Sequence, residues 1–300
     1  SLSNSMGRFE TKDTVAVCGG KLLKLSHASE YTKTSMDVNV YLPPQYEASG
    51  AKKLPVLLYL SGLTCTPQNV SEKSFLPYFA SKHGFALVFP DTSPRGAGIN
   101  GEDESWDFGT GAGFYVDSIK EPWKKNYNMY SYVLKELLPL VSEEFGQLDV
   151  LENCSITGHS MGGYGALMMY MRNPGRFKSC SAFAPIANPS VVPWGEKCFG
   201  NYLGEDKTEW YKYDPCHLVK AYAGNPQVAD EKILIHVGTK DVFNYRDHQL
   251  RCENLVEAAK GTKLAGSIDL NVVDGYDHSY YFISSFVPEH VEFHLKYLTK

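Results

Sequence analysis

The stretch CSITGHSMGGYGALMMYMR, residues 154–172, contains the most informative pattern of the sequence. Its centre, Gly158-His159-Ser160-Met161-Gly162, matches G-x-S-x-G, with a strand-like segment (154–157) before it and a small-residue, helix-like segment (163–172) after it. A strand that turns so sharply into a helix strains the residue between them, and the flanking glycines permit the close approach that this turn needs. The pattern predicts that Ser160 projects from the carboxyl edge of a sheet as a nucleophile. The alternative is a serine that only caps a helix.

Strand-like and helix-like segments alternate along the rest of the chain. This alternation favours an α/β fold in one domain spanning residues 1–300, with a mostly parallel central sheet and helices on both faces. The predicted buried strands are 54–60, 85–89, 154–157, 180–183, 233–237 and 268–273. The predicted helices are 72–83, 129–145, 163–172, 246–260 and 287–298. Pro77 is expected at a kink or boundary of the first of these helices, and Asn128 as the N-cap of the second. The first strands, including 38–42, have no helices between them, so we expect an antiparallel edge there.

Composition excludes several classes of protein. The net charge of −5 gives no electrostatic reason to expect nucleic acid or an anionic membrane as partner. No apolar run reaches the roughly 18 residues of a membrane span, and the polar start of the chain does not resemble a secretory signal. Residues 1–5, before Met6, suggest a remnant of protein expression. The seven cysteines are widely spaced without a C-x-x-C pair, which favours free thiols in a reducing compartment over zinc or disulfides.

A serine nucleophile needs a base that takes its proton, and in the α/β-hydrolase fold the order along the chain is serine, acid, histidine. Six histidines follow Ser160. His278 lies in a turn just past the predicted strand 268–273, where it can reach back over the sheet edge, so we predict it as the base. His236 falls inside a predicted strand and is expected to pack in the core, and His217 falls in an unassigned segment. Three more are expected on helix surfaces, namely His248, His290 and His294.

The carboxylate residue that orients the base should lie just after the end of the preceding strand. Asp241 follows the predicted strand 233–237 after three residues, which puts it in a loop at the same edge of the sheet. Asp247, Asp274 and Asp277 are rivals. The first is expected to begin a helix, and the other two are too close to His278 in sequence to come from the neighbouring strand.

Acyl transfer also needs donors that stabilise the developing oxyanion. One candidate is the backbone N–H of Met161, which follows the nucleophile. The second is the N–H of Leu63, in the loop after the predicted strand 54–60, where Gly62 permits a turn. An ordinary glycine turn is the alternative for that loop. Cys65 lies beside it, and its thiol is either packed or exposed to oxidation near the site.

A long glycine-rich segment, residues 93–117, interleaves aromatic side chains at Trp106, Phe108, Phe114 and Tyr115. Loops of this length without regular structure are often functional, so we interpret it as a pocket wall, with plain aromatic packing as an equal alternative. The remaining candidate pocket residues are Gly62, Cys65, His159 and Trp194.

Taken together, the motifs resemble those of the S-formylglutathione hydrolase (esterase D) family from about residue 18 to the end of the chain. The motifs that carry the resemblance are YLSGLTCT (59–66), FPDTSPRG (89–96), WDFG (106–109), GAGFY (111–115), TGHSMGG (157–163), SAFAP (181–185), DHSYYF (277–282) and FVPEH (286–290). Together they are far more specific than G-x-S-x-G alone. The family's serine, aspartate and histidine fall on Ser160, Asp241 and His278.

The resemblance implies hydrolysis of the thioester S-formylglutathione to formate and glutathione in formaldehyde detoxification, without a metal or organic cofactor. It also implies broader carboxylesterase activity, a cytoplasmic location and a homodimer. The expected partner is therefore a small glutathione thioester. Two other functions stay open, namely a general short-chain carboxylesterase and a non-catalytic binding protein on a hydrolase scaffold. A binding protein of that kind usually lacks one triad residue, whereas all three candidates are present here.

Overall fold

A nine-stranded sheet runs through the structure, a computed structural model that describes residues 8–48, 50 and 52–299. The order of strands across the sheet is β1-β2-β3-β5-β4-β6-β7-β8-β9. The strands are β1 (Glu10–Val17), β2 (Gly20–Ala28), β3 (Ser35–Leu42), β4 (Val56–Leu60), β5 (Ala86–Pro90), β6 (Cys154–Gly158), β7 (Cys180–Phe183), β8 (Ile233–Gly238) and β9 (Ile268–Val273). The expression remnant predicted at residues 1–5 lies outside the described residues.

The sheet is antiparallel at one side and parallel over the rest, as predicted. β1, β2 and β3 pair antiparallel with one another, and β3 pairs antiparallel with β5. From β5 through β9 every pairing is parallel. The carboxyl ends of the parallel strands therefore meet at one edge, which is where ligands bind in sheets of this type.

Helices cover both faces of this sheet. They are α1 (Gln45–Ala48), α2 (Pro67–Lys73), α3 (Leu76–His83), α4 (Met129–Ser131), α5 (Leu138–Glu144), α6 (Met161–Arg172), α7 (Pro193–Leu203), α8 (Lys207–Tyr211), α9 (Pro215–Ala221), α10 (Val242–Tyr245), α11 (Cys252–Ala259) and α12 (Tyr280–Leu295). A π-helical segment, Tyr132–Leu137, joins α4 to α5, and a 3₁₀ turn spans Pro189–Val191. None of the described helices is long and apolar enough to cross a membrane.

Several predicted boundaries were wrong for local reasons. The helix predicted at 72–83 is two helices, α2 and α3, and Pro77 lies in the first turn of the second, where a missing N–H costs nothing. Asn128 occupies the N-cap position of α4 as predicted, but its side chain makes no capping hydrogen bond, because its Oδ1 accepts the N–H of Ser118 instead. The helix predicted from 246 begins only at Cys252, since Arg251 before it has a left-handed φ of 52°.

The last strand and the last helix also differ from expectation. β9 is the edge strand of the sheet, so it is half-exposed rather than buried, and Val272 is 60% exposed. α12 begins seven residues earlier than predicted, at Tyr280, because the side chain of Ser279 accepts a hydrogen bond from the N–H of Tyr281 and caps the helix. The helix continues through Pro288.

Candidate active site

Ser160, with His159 before it, lies between the end of β6 and the start of α6. Its φ of 55° and ψ of −116° are unusual for a residue with a side chain, a strain that costs about 1–3 kcal/mol. Surrounding hydrogen bonds hold the turn: Ser160 N–H donates to the carbonyl of Phe183 (2.9 Å), and Gly162 N–H donates to that of His159 (2.8 Å). The fold thus fixes a buried serine in a strained turn at the carboxyl end of β6.

Steric crowding explains the glycines on either side of Ser160. A Cβ on Gly158 would lie 2.4 Å from the carbonyl oxygen of Gly162, and a Cβ on Gly162 would lie 1.9 Å from that of Leu60. Both distances are far below van der Waals contact, and both involve backbone atoms that cannot move aside. The G-x-S-x-G pattern therefore reflects close packing of β4, β6 and α6.

His278 and Asp241 form a hydrogen-bonded pair at the same edge of the sheet. His278, in the connection from β9 to α12, contacts Oδ2 of Asp241 through its Nδ1 at 2.5 Å. Asp241 is fully buried at the N-cap of α10, where its other oxygen accepts the N–H of Phe243 at 3.0 Å. A buried carboxylate with both oxygens engaged holds the imidazole in one orientation, with the proton on Nδ1.

The rival carboxylates make other contacts. Asp247 pairs with its neighbour Arg246 and does not begin a helix, contrary to the prediction. Asp274 accepts the hydroxyl of Thr239. Asp277 accepts from the backbone and hydroxyl of Ser279.

A cavity of about 250 Å³ brings the predicted residues together. Its lining residues are Gly62, Leu63, Thr64, Cys65, Trp106, His159, Ser160, Trp194, Phe243, His278, Tyr280 and Ile283. All five predicted pocket residues are among them, with Ser160, His278 and one of the two predicted oxyanion residues. Asp241 lies behind His278, and the other oxyanion candidate, Met161, is the first residue of α6.

The amides of the loop after β4 are engaged on both sides of Leu63. Gly62 N–H donates to Nε2 of His159 (3.3 Å), Thr64 N–H to Gly111 (2.9 Å) and Cys65 N–H to Gly62 (3.2 Å). Of these four consecutive amides, that of Leu63 is the one to which the described residues give no acceptor. The N–H of Met161, in the first turn of α6, has no partner within the helix either. Both predicted donors therefore remain candidates.

His159 is a neutral, buried ring beneath this loop. Burial is the main cause that lowers its pKa to about 3, with the charge of nearby His278 adding to the effect. Because its Nε2 accepts the N–H of Gly62, its Nδ1 carries the proton and donates to the hydroxyl of Tyr59 at 2.9 Å. A Cβ on Gly62 would lie 2.9 Å from His159 Nε2, so this glycine is needed for the close contact. The ring therefore supports the turn that carries Leu63.

Sequence reasoning missed four residues that line the cavity, namely Thr64, Phe243, Tyr280 and Ile283. The ring of Phe243 meets that of His278 edge-on, with centroids 4.9 Å apart. The DHSYYF motif pointed to the segment of Tyr280, but the direction of a side chain at the start of a helix depends on how that helix packs.

The aromatic residues of the long loop divide between wall and core. Trp106 lines the cavity and meets Trp194 edge-on, with centroids 5.7 Å apart. Phe108, Phe114 and Tyr115 are buried in the core instead. The pocket-wall interpretation of residues 93–117 therefore applies to Trp106, and the packing alternative applies to the other three.

Cys65 contributes a thiol to the wall. Burial raises its pKa, so the thiol is protonated at neutral pH. Its sulfur lies 3.8 Å from Nε2 of His159 and 3.7 Å from the hydroxyl of Tyr280. All seven cysteines are free, and six of them are buried.

The other histidines after Ser160 lie away from this cavity. His236 is buried in β8, as predicted. The prediction that His290 and His294 lie on the surface was wrong, because α12 turns both rings into the protein, where they are 2% and 1% exposed. His248 is exposed but lies before α11 rather than on a helix, and His217 lies on α9, stacked on a tyrosine.

A larger cavity, of about 730 Å³, lies near the amino end of β8 around Asn225 and Glu231. It contains none of the predicted catalytic residues. Among the described residues, no cluster of three or more histidine, cysteine, aspartate or glutamate side chains could hold a metal ion. The smaller cavity is thus the candidate active site because of its chemistry, not its size.

Comparison with known proteins gives matches over nearly the whole chain. The model of the esterase family ("Putative esterase") matches residues 29–293. An S-formylglutathione hydrolase of Saccharomyces cerevisiae is 53% identical over 94% of this chain and 97% of its own, and one of Bos taurus is 49% identical over 94% and 96%. A solved structure of an S-formylglutathione hydrolase from Agrobacterium tumefaciens superposes with a TM-score of 0.88 at 43% identity, over 97% of this chain and all of that one.

Proposed function

This chain belongs to the esterase family, and on that premise we propose that it hydrolyses S-formylglutathione to formate and glutathione through a triad of Ser160, His278 and Asp241. The observation that carries the proposal is the hydrogen bond between buried Asp241 and His278, beside a cavity that Ser160 also lines. The relatives in yeast and cattle, named S-formylglutathione hydrolase, support the choice of thioester.

In the first half of the proposed reaction, Ser160 is acylated. Nε2 of His278 takes the hydroxyl proton while Oγ attacks the formyl carbon, and the N–H groups of Met161 and Leu63 stabilise the oxyanion. The tetrahedral intermediate then collapses and the C–S bond breaks. The imidazolium gives its proton to the leaving sulfur, so glutathione leaves and a formyl ester remains on Ser160. Asp241 stabilises the imidazolium while it exists.

In the second half, water replaces the thiol. His278 takes a proton from water as its oxygen attacks the formyl ester, and the same donors stabilise the second oxyanion. Collapse breaks the bond to Oγ, the proton returns to Ser160, and formate leaves. Protein side chains and water supply every proton transfer in this scheme.

The size of the cavity supports a small acyl group. It measures about 250 Å³, and the rings of Trp106, Trp194 and Phe243 form part of its wall. A bulky acid would collide with these rings, whereas a formyl group, the smallest acyl group, would not. We therefore expect kcat/KM to be far higher for S-formylglutathione than for S-acetylglutathione or a short-chain aryl ester. Comparable values for all three would favour the alternative of a general short-chain carboxylesterase.

Replacement of Ser160 tests catalysis itself. Ser160→Ala should abolish turnover of both thioester and aryl ester, because no other hydroxyl takes its place on the strained turn. Unchanged thermal unfolding would show that the fold is intact. Turnover that survived the substitution would rule out the proposed nucleophile. A wild-type protein that bound glutathione thioesters without turnover would instead be the non-catalytic binding protein.

The proposed activity suggests a cellular setting. A hydrolase that releases formate and free glutathione suits the last hydrolytic step of glutathione-dependent formaldehyde removal, in the cytoplasm where glutathione is abundant. We also propose a homodimer, from the family resemblance. Light scattering coupled to gel filtration would measure the mass directly, and a mass near 33.5 kDa would identify a monomer.

A further inference from the structure

The active-site cavity is too small for the substrate proposed above. Its volume of about 250 Å³ is below the roughly 300–1,000 Å³ of pockets that enclose a drug-sized ligand, and a glutathione thioester is a tripeptide with a further acyl group. The thioester carbon must reach Ser160, so most of the tripeptide has to lie outside this cavity. A second surface must hold it if binding is to be specific.

A groove of about 440 Å³ adjoins the cavity. It is lined by Lys73, Phe75, Ser279, Tyr280, Tyr281 and Ser284, and Tyr280 lines the active-site cavity as well. The hydroxyl of Tyr280 lies 3.7 Å from the sulfur of Cys65, and its ring centroid lies 5.4 Å from that of His159. Tyr280 is therefore the one residue that lines both spaces.

Charge distinguishes the groove from the cavity. Lys73 is the one permanently charged side chain among the residues that line either space, and no carboxylate lines them. Its Nζ lies 5.8 Å from the ring centroid of Tyr280. Within the described part of the chain, Lys73 forms no ion pair. Most of the ion pairs found there use lysine or arginine side chains that are exposed, as Lys73 is.

Two aromatic rings stand open on the same groove. Phe75 is 65% exposed and Tyr281 is 85% exposed, the two highest values among the large apolar residues of the described structure. Phe75 is held outward by a left-handed φ of 63° at the N-cap of α3. Exposed rings beside a free cation form a surface that can cover the apolar parts of a peptide while the cation meets its carboxylate.

We propose that this groove binds the tripeptide part of the leaving thiol, and that Lys73 pairs with one of its carboxylates. The inference rests on the proposed function. It assigns specificity for the thiol to Lys73 and the rings of Phe75 and Tyr281, outside the cavity that selects the acyl group. Glutathione carries two carboxylates, so a single well-placed cation gives it an advantage over an uncharged leaving group.

Charge reversal at Lys73 provides the test, with Lys82→Glu as the matched control. Lys82 is also an exposed lysine in the last turn of a helix and lies over a tyrosine ring, but it lines neither space. We expect Lys73→Glu to raise KM for S-formylglutathione by about tenfold, with kcat nearly unchanged. The loss of an exposed ion pair alone has a small effect, and the repulsion between the new carboxylate and that of the substrate adds to it. The same variant should hydrolyse an uncharged aryl formate normally. Lys82→Glu should alter neither substrate.

Inhibition by glutathione itself gives a second measurement. Added glutathione should inhibit hydrolysis of the aryl formate competitively, and Lys73→Gln should weaken that inhibition severalfold, while Lys82→Gln should not. Equal effects of Lys73 and Lys82 variants, or an equal loss on thioester and aryl ester, would overturn the assignment of the groove. A wild-type protein that does not hydrolyse S-formylglutathione would instead refute the proposed function, whatever the Lys73 variants do.

Discussion

Exchange of Asp241 for asparagine would test the orientation of the catalytic base. One carboxylate oxygen accepts the N–H of Phe243, and the other contacts Nδ1 of His278. An asparagine of the same size must present its oxygen to Phe243, since a backbone N–H can only donate. Its NH₂ group then faces His278 and requires Nδ1 to accept. The ring proton moves to Nε2, the nitrogen that has to receive the proton of Ser160.

The expected loss is large because the ring cannot act as a base in that tautomer. In serine hydrolases with this triad, the same exchange lowers kcat by about 10⁴-fold. That factor corresponds to about 5 kcal/mol in activation free energy. The asparagine preserves volume and one hydrogen bond at a fully buried site, so we expect much less change in stability than in rate.

A short-chain aryl ester allows kcat to be measured for Asp241→Asn over four orders of magnitude, beside thermal unfolding of the same samples. Asp274→Asn is the matched control, because that carboxylate lies at the same edge of the sheet but accepts from Thr239 rather than from His278. The control should retain wild-type activity. If Asp241→Asn kept more than about a tenth of kcat while folded, an orienting role for Asp241 would be wrong.

Two further predictions concern stability. Gly162→Ala should destabilise the fold by several kcal/mol and disrupt activity, since its Cβ would lie 1.9 Å from the carbonyl oxygen of Leu60. Chemical denaturation measures the change in the free energy of unfolding. Gly146→Ala is the control and should leave stability nearly unchanged, because no atom lies within 4 Å of a Cβ at that position. Acid should unfold the protein in a defined window, because burial lowers the pKa of His159 and His294 to about 3 in the folded state, against a usual value of 6.5. Below pH 6.5 both groups take up protons when the chain unfolds, so acid favours the unfolded state. The free energy of unfolding is therefore unaffected by these groups above pH 6.5, and between pH 6.5 and pH 3 it falls by about 1.4 kcal/mol per group for each pH unit. His294→Gln should lower the slope of unfolding free energy against pH by one proton, and an unchanged slope would contradict this.

The nucleophile segment could be predicted from sequence because its requirements are local. Gly158 and Gly162 are needed for contacts that arise within a few residues of Ser160 and from the adjoining strand β4. The positions of His278 and Asp241 followed from another regularity, since both come just after parallel strands whose carboxyl ends meet at one edge. No knowledge of side-chain packing was needed for either inference.

The walls of the cavity could not be predicted in the same way. Tyr280 and Ile283 reach it from the first turn of α12, and Phe243 reaches it from α10. Their directions depend on where these helices lie over the sheet, which no pattern within either helix specifies. The groove beside Lys73 has the same origin, because it forms where the end of α2 meets the start of α12.

The two buried histidines of α12 show how a polar residue can mislead sequence analysis. A histidine on a helix is usually exposed, and its burial costs free energy unless the ring nitrogens find hydrogen-bond partners. His294 finds them in Ser179 and Ser181 of the β7 region, more than a hundred positions away in the chain, at 2.7 and 2.8 Å. His290 finds them in Ser181 and His236, at 2.7 and 2.9 Å.

These contacts form a single chain of hydrogen bonds whose direction one carboxylate determines. Glu289 can only accept, so His236 donates to it from Nε2 and must accept at Nδ1 from His290. His290 then accepts from the hydroxyl of Ser181, which accepts in turn from His294. The tautomers of three buried rings therefore follow from one exposed glutamate on α12. The helix that begins just after His278 is thus tied to β7 and β8 by contacts that form only in the folded chain. A position on a predicted helix therefore did not reveal that these rings are buried.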